Sequence, residues 1–167
     1  MIKAAAVVFF LYTTIIPSDL KKMRGHYALI GKNKESVAAI MELSLNNNSD
    51  VPNTVKRAYY AAAEMASAQY KISPVAKINA FNSGKKILEA AISADTTNLE
   101  ARYIRFTIQQ NAPSFLGYNK KCDSDKAFLI KNLASIKNND SELFSNVYAY
   151  LLTYNKLSES DKTTMLN

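Results

Sequence analysis

The chain has 167 residues, enough for one domain with a hydrophobic core but not for several. Hydrophobic residues make up 48% of it and only 4 Gly and 4 Pro occur, which argues against extensive disorder and favours an all-α fold. Its 21 basic and 14 acidic residues give a formal net charge of +7 without a concentrated basic run, so charge alone does not favour a nucleic-acid partner.

The N-terminal segment differs from the rest of the chain. Residues 4–16 are uncharged and largely apolar, and they lie between Lys3 and Pro17. This pattern is typical of a secretory signal peptide, although no Ala-x-Ala cleavage motif precedes the proline. The run is shorter than the roughly 20 apolar residues of a membrane-spanning helix. We therefore expect residues 1–17 to be a signal peptide and the protein to be exported, with no stable membrane span after the leader is removed. The alternative is a cytoplasmic protein with a buried N-terminal helix.

Residues 18–167 are expected to form a single helical domain of about seven helices. The spacing of apolar residues predicts a first helix over 18–30, with Ser18 or Asp19 as its cap, and a second over 34–45. The third helix, over 54–70, is rich in alanine and therefore suits close packing on more than one side.

The fourth predicted helix begins with Ser73 as N-cap and Pro74 at its first position. Its interior Gly84 costs about 1 kcal/mol relative to alanine, and we expect a close contact with the third helix to explain it. Further helices are expected over 99–110, from Asp123 or Ser124, and over 141–154, followed by a short capped turn at 158–161. The apolar residues expected to form the buried stripe of the fourth helix are Ile78, Phe81, Leu88, Ala91 and Ile92.

One motif stands across the fourth and fifth helices. Gly84, Leu88 and Ala91 share a helical stripe, and the polar turn of residues 95–98 follows. This resembles the end of a tetratricopeptide (TPR) repeat, with Thr96 where that family usually has proline. The resemblance implies TPR-like antiparallel helical hairpins stacked as a short α-solenoid, pairing helices one with two, three with four and five with six. It is specific only over about residues 83–103.

A second resemblance is carried by the segment EARYIRFTIQQNAPSFLGY, residues 100–118, together with the repeat turn. It is similar to an uncharacterised family of exported bacterial proteins. That likeness runs over roughly residues 77–133 and implies no activity.

Catalytic and cofactor-binding motifs are not recognisable in the sequence. Four dispersed glycines do not form a phosphate-binding loop, and the single histidine, His26, and single cysteine, Cys122, lie in no nucleophile or metal-binding motif. Asp123 and Asp125 are explained by the positive end of a helix dipole. We therefore expect no enzymatic activity, no cofactor and no metal.

The best candidate site combines two arginines on one helix face with the loop that follows. The guanidinium groups would bind a carboxylate, or the terminus of a peptide, beside an apolar rim. The candidate binding residues are Arg102, Arg105, Asn111, Phe115 and Tyr118.

A purely structural interpretation of the same residues is also open. In it the two arginines pair with Glu100, Asp123 or Asp125, while Phe115 and Leu116 close the end of a hairpin.

The sequence thus favours a non-enzymatic helical-repeat scaffold that binds a protein or peptide in a groove. The alternative is a small helical ligand-binding domain or enzyme that uses Arg102, Arg105 and the loop 111–118. Binding of an anionic polymer, which rests on net charge only, is a third option. A groove lined by Tyr and Asn would favour the scaffold, an enclosed pocket at Arg102 the ligand site, and one basic face the polymer.

Overall fold

The computed structural model describes residues 16–153 and 157–167, and within these ranges it contains eight α-helices and no strand, which confirms the all-α prediction. The predicted signal peptide, like the alternative buried N-terminal helix, lies almost entirely outside the described residues. The helices are α1 Ser18–Tyr27, α2 Lys34–Leu45, α3 Asn53–Ser67, α4 Pro74–Ala94, α5 Leu99–Asn111, α6 Cys122–Asn132, α7 Ser141–Leu152 and α8 Glu159–Leu166.

Local sequence signals set several of these boundaries. The predicted bounds of α2 are confirmed, and Asn33 caps it by accepting a hydrogen bond from the Ser36 amide. The predicted start of α4 is also confirmed, since the Ser73 side chain accepts from the Ala76 amide and Pro74 follows. The final turn is longer than expected, because the capping box formed by Ser158 and Asp161 begins an eight-residue helix, α8.

Two predictions about α1 are wrong. The helix ends at Tyr27 rather than near Ile30, because the next amides bond three residues back, with Leu29 N donating to His26 O and Ile30 N to Tyr27 O. Pro17 occupies the N-cap position, so neither Ser18 nor Asp19 caps the helix.

The close contact predicted at Gly84 is confirmed. A Cβ atom built on Gly84 would lie 2.5 Å from the Ala61 carbonyl oxygen, 2.6 Å from Met65 Cγ and 2.9 Å from the Met65 amide nitrogen. The backbone of α4 therefore rests directly on the alanine-rich α3. Small residues at this contact let the two helix axes approach closely.

The described residues form two adjoining hydrophobic cores that share α5. The first is built from α1 to α4, with Ala101 and Ile104 of α5 packed against it. The second is built from α6, α7 and α8, with Leu99 and Phe106 of α5 packed against it. Opposite faces of one helix thus join both halves of the fold.

Helix neighbours agree with the expected hairpin partners: α1 packs on α2, α3 on α4, and α5 on α6, while α3 also packs on α2 and α5. The regular stacking that defines an α-solenoid stays a prediction. In residues 16–153 and 157–167, no helix combines the length and the apolar character needed to cross a membrane.

Candidate functional site

A wide apolar groove lies on the described surface. Its volume is about 830 Å³, and it lies between the end of α1, the faces of α3, α4 and α5, the loop after α5, and α7. Its aromatic and large aliphatic walls include Tyr27, Ile78, Phe81, Tyr103, Ile108 and Tyr150. A volume in the range of roughly 300–1,000 Å³ is typical of sites that bind ligands or peptide side chains.

Ring contacts hold the aromatic wall in place. Tyr103 of α5 and Tyr150 of α7 meet edge to face with centroids 5.9 Å apart, and Phe106 contacts Tyr150 in the same manner at 5.9 Å. Burial, together with the nearby Tyr150 and Glu100, raises the pKa of Tyr103 to about 12. Its hydroxyl is therefore neutral at physiological pH, and this wall of the groove carries no charge.

Most of the polar side chains along the groove already have partners within the protein. The Tyr27 hydroxyl is hydrogen-bonded to the Thr107 hydroxyl. Asn111 Nδ2 donates to the Thr107 carbonyl at 2.7 Å and to the Tyr150 hydroxyl at 3.0 Å, and Gln69 Nε2 donates to the Ile30 carbonyl at 3.3 Å. The groove therefore presents mainly apolar surface to an incoming molecule.

Charge along the groove has one sign. Lys32 and Lys77 line it and are exposed, and no aspartate or glutamate is among its lining residues. Across the part of the chain that the structure describes, neither lysine side chain lies within ion-pair distance of a carboxylate. A partner with negative charge at the rim would therefore meet two available ammonium groups.

Apolar side chains at the groove are left in water. Ile78 is 45% exposed, so its predicted burial is wrong. Phe115 is 79% exposed and therefore does not close the end of a hairpin, as the structural interpretation expected. The cause at Phe115 is the short 3₁₀ helix Ser114–Leu116, which ends at Gly117 in the left-handed region with φ of 59°. In this conformation Leu116 packs partly against the core and Phe115 projects outward.

The two predicted arginines lie elsewhere, in a buried ion-pair cluster. Arg105 is 3% exposed, and its Nε and Nη2 donate to the two oxygens of the fully buried Asp125 at 2.6 and 2.7 Å. Its Nη1 donates to Glu89 at 2.9 Å. Arg102 Nη1 lies 3.3 Å from Asp125, Arg102 Nε donates to the Thr96 carbonyl at 2.8 Å, and its guanidinium covers the Phe128 ring.

Tyr118 completes this arginine cluster through Glu89. The Tyr118 hydroxyl donates to Glu89 at 2.8 Å, and Lys121 donates to the same carboxylate at 3.1 Å. Burial alone would raise the pKa of Glu89, but these two hydrogen bonds and the charge of Arg105 hold it below its usual value. Burial and the bond to Glu89 raise the pKa of Tyr118 well above that of free tyrosine.

The five predicted site residues are thus divided between two places. Asn111 and Phe115 line the apolar groove, whereas Arg102, Arg105 and Tyr118 belong to the arginine cluster. The structural interpretation expected the two arginines to pair with Glu100, Asp123 or Asp125. Of these three carboxylates, both arginines pair with Asp125. Their role in binding stays a prediction.

A second ion-pair cluster was missed from the sequence. Arg24 of α1 is 6% exposed and donates to Glu100 at 2.8 and 3.0 Å and to Asp140 at 2.6 and 2.9 Å. The Tyr59 hydroxyl also donates to Glu100, at 2.7 Å. One sequence signal indicates that Arg24 is buried: it lies four residues after Leu20, on the apolar stripe of α1, where a surface arginine would not lie.

Cys122 and His26 each contact a different polar side chain. Burial raises the pKa of the Cys122 thiol by more than the hydrogen bond that Gln110 Nε2 donates to its sulfur, at 2.8 Å, lowers it, so the reactive thiolate is disfavoured. His26 Nδ1 lies 3.4 Å from the Ser36 hydroxyl. Outside residues 1–15 and 154–156, no group of three or more His, Cys, Asp or Glu side chains is placed to hold a metal ion.

No protein-family model, curated protein or solved structure matches the chain.

Proposed function

We propose that this protein is a non-enzymatic, TPR-like helical scaffold that binds a segment of a partner protein in the apolar groove. The observation that carries the proposal is the groove itself, about 830 Å³ of concave surface lined by tyrosines and Asn111. A lining of this kind was the feature expected of the scaffold from the sequence. Exposed apolar side chains at its edge, such as Phe115, are typical of surfaces that become covered on association.

The arginine cluster supports the same choice indirectly. Arg105 is buried and engages two carboxylates of the chain, so its guanidinium has few donors left for a bound carboxylate. The groove, in contrast, has apolar surface that the described residues do not cover.

The test is selection of peptides from a displayed random library, followed by affinity measurement with matched variants. Ala28 is exposed and lines the groove, so Ala28→Trp fills part of the groove without disturbing the core. Ala38 is equally an exposed alanine but lies on α2, outside the groove, and Ala38→Trp is the control.

We expect selected peptides to lose at least about tenfold in affinity for Ala28→Trp and to bind Ala38→Trp like the wild type, as loss of a buried contact predicts. Equal affinity for both variants, or no selectable peptide, would contradict the proposal.

A second candidate function is binding of a small apolar molecule in the same groove, favoured by its volume. Native mass spectrometry of protein purified from its own host distinguishes the two. A retained small-molecule mass that is absent from Ala28→Trp supports the second candidate.

A further inference from the structure

We infer that the partner segment is an amphipathic α-helix whose apolar face fills the groove and whose carboxylates face Lys32 and Lys77. This inference rests on the proposed function and adds the conformation and the charge of the segment. The hydrogen bonds along the groove support the helical conformation, and the lysines at its rim support the negative charge.

The conformation follows from the hydrogen bonds along the groove. Asn111 Nδ2 donates two hydrogen bonds within the protein and Gln69 Nε2 donates one, and the hydroxyls of Tyr27 and Thr107 are bonded to each other. An extended peptide would bring unpaired backbone N–H and C=O groups against this surface, and burying them unpaired is costly. The described residues include no strand whose edge would pair with them. A helix satisfies its own backbone and presents only side chains.

The negative charge of the partner segment is inferred from two lysines at the rim of the groove. Lys32, in the turn after α1, and Lys77, in the first turns of α4, are both exposed and line the groove. The lining contains no acidic residue that would neutralise them or attract a basic segment. Glutamates beside the apolar face of a bound helix would therefore gain two favourable interactions, whereas lysines there would be repelled.

The conformation is tested on the peptides selected from the random library. Helical binding predicts apolar residues three and four positions apart, and a gain of helical circular dichroism when peptide and protein are mixed. A proline placed at the centre of a selected peptide should weaken binding at least about tenfold. Alternating apolar residues, or tolerance of the proline, would overturn the helical assignment.

The charge is tested with two double variants of equal net charge. Lys32→Glu with Lys77→Glu reverses the rim, while Lys86→Glu with Lys131→Glu changes exposed lysines that do not line the groove. Acidic selected peptides should bind the rim variant about tenfold more weakly, roughly threefold for each lysine, and the control variant like the wild type. The rim variant should itself select peptides rich in Lys and Arg.

The outcomes separate this inference from the proposed function. Selected peptides that bind through the groove but show no preference for acidic residues would overturn the charge assignment and leave the function standing. Failure of every peptide to distinguish Ala28→Trp from Ala38→Trp would overturn both. Reversible dimerisation of the intact protein in sedimentation, abolished by Ala28→Trp, would also overturn the inference, because a second copy would then occupy the groove.

Discussion

The apolar groove and the arginine cluster lie on different sides of the same helix, α5, and they differ in whether their chemistry is already satisfied. Arg105 in the cluster is buried and bound to Asp125 and Glu89, whereas Phe115 at the groove is 79% exposed. A charged residue can bind a partner, but in the folded chain it is often already paired with another residue of the same chain, as Arg105 is. What remains open to a partner here is mainly apolar surface, with Lys32 and Lys77 at its rim.

The largest expected effect comes from breaking the arginine cluster. Arg105→Leu leaves the fully buried Asp125 without its bidentate partner, which typically costs about 3–5 kcal/mol of unfolding free energy. Urea denaturation measures the loss, and the peptide affinity of the remaining folded protein should not change. If the variant keeps its stability but loses peptide binding, Arg105 belongs to the binding site and the contrast between the two regions fails.

The next effect concerns the contact that fixes two walls of the groove. In Gly84→Ala the new methyl would overlap the α3 backbone at Ala61, and overpacking typically costs about 1–3 kcal/mol, more than the gain of up to about 1 kcal/mol in helix propensity. Gly25→Ala in α1 is the matched control, because no atom lies within 4 Å of its new Cβ and only the propensity gain applies. Thermal melting should move the two variants in opposite directions. A stabilised Gly84→Ala would show that the helices are not packed as closely as described.

Substitution at the groove edge should change binding and not stability. Phe115→Ser removes an exposed side chain, so unfolding free energy should stay within about 0.5 kcal/mol of wild type while peptide affinity falls about tenfold. Leu45→Ser is the control, since Leu45 is 66% exposed and lies outside the groove. Equal peptide affinity for the two variants would exclude Phe115 from the binding surface.

The smallest effect is the contribution of Glu89, in the arginine cluster, to the pH dependence of stability. Because the pKa of Glu89 is lowered in the folded protein, its ionised form adds stability above the usual value of 4.5, and this stability is lost as the pH falls below that value. Glu89→Gln should therefore lose less stability than wild type between about pH 6 and about pH 3, by under about 1 kcal/mol, as for a partly exposed ion pair.

The control for this pH effect is Glu35→Gln, on the exposed side of α2. An identical acid dependence in wild type and Glu89→Gln would mean that Glu89 is not held by Tyr118 and Lys121 as described.

Helix boundaries were predicted correctly where a local sequence signal sets them. The bounds of α2 and the capped start of α4 depend on residues within a few positions, and the close contact at Gly84 followed from a cost that only packing explains. The buried ion pair of Arg24 was not predicted, because its partner Glu100 lies 76 residues later in the chain. No local pattern states which carboxylate a buried arginine will meet.

The candidate site was only partly predicted, again because contacts between residues distant along the chain decide which side chains remain accessible. Arg102 and Arg105 do share a face of α5, but the packing of α6 places Asp125 on that face and closes it. The face that lines the groove carries Tyr103 and Thr107, and neither residue type alone distinguishes a binding site from other positions. Which face of a helix is covered is decided by tertiary packing, and periodicity alone does not show it.

The most direct test of the groove as the binding surface is site-specific photo-cross-linking to a selected peptide. A photoreactive phenylalanine analogue placed at Phe115 reports on the groove, and the same analogue at the exposed Ser124, next to Asp125, reports on the arginine cluster. We predict a covalent peptide adduct from position 115 and none from position 124. An adduct from position 124 with none from position 115 would contradict the assignment of binding to the groove.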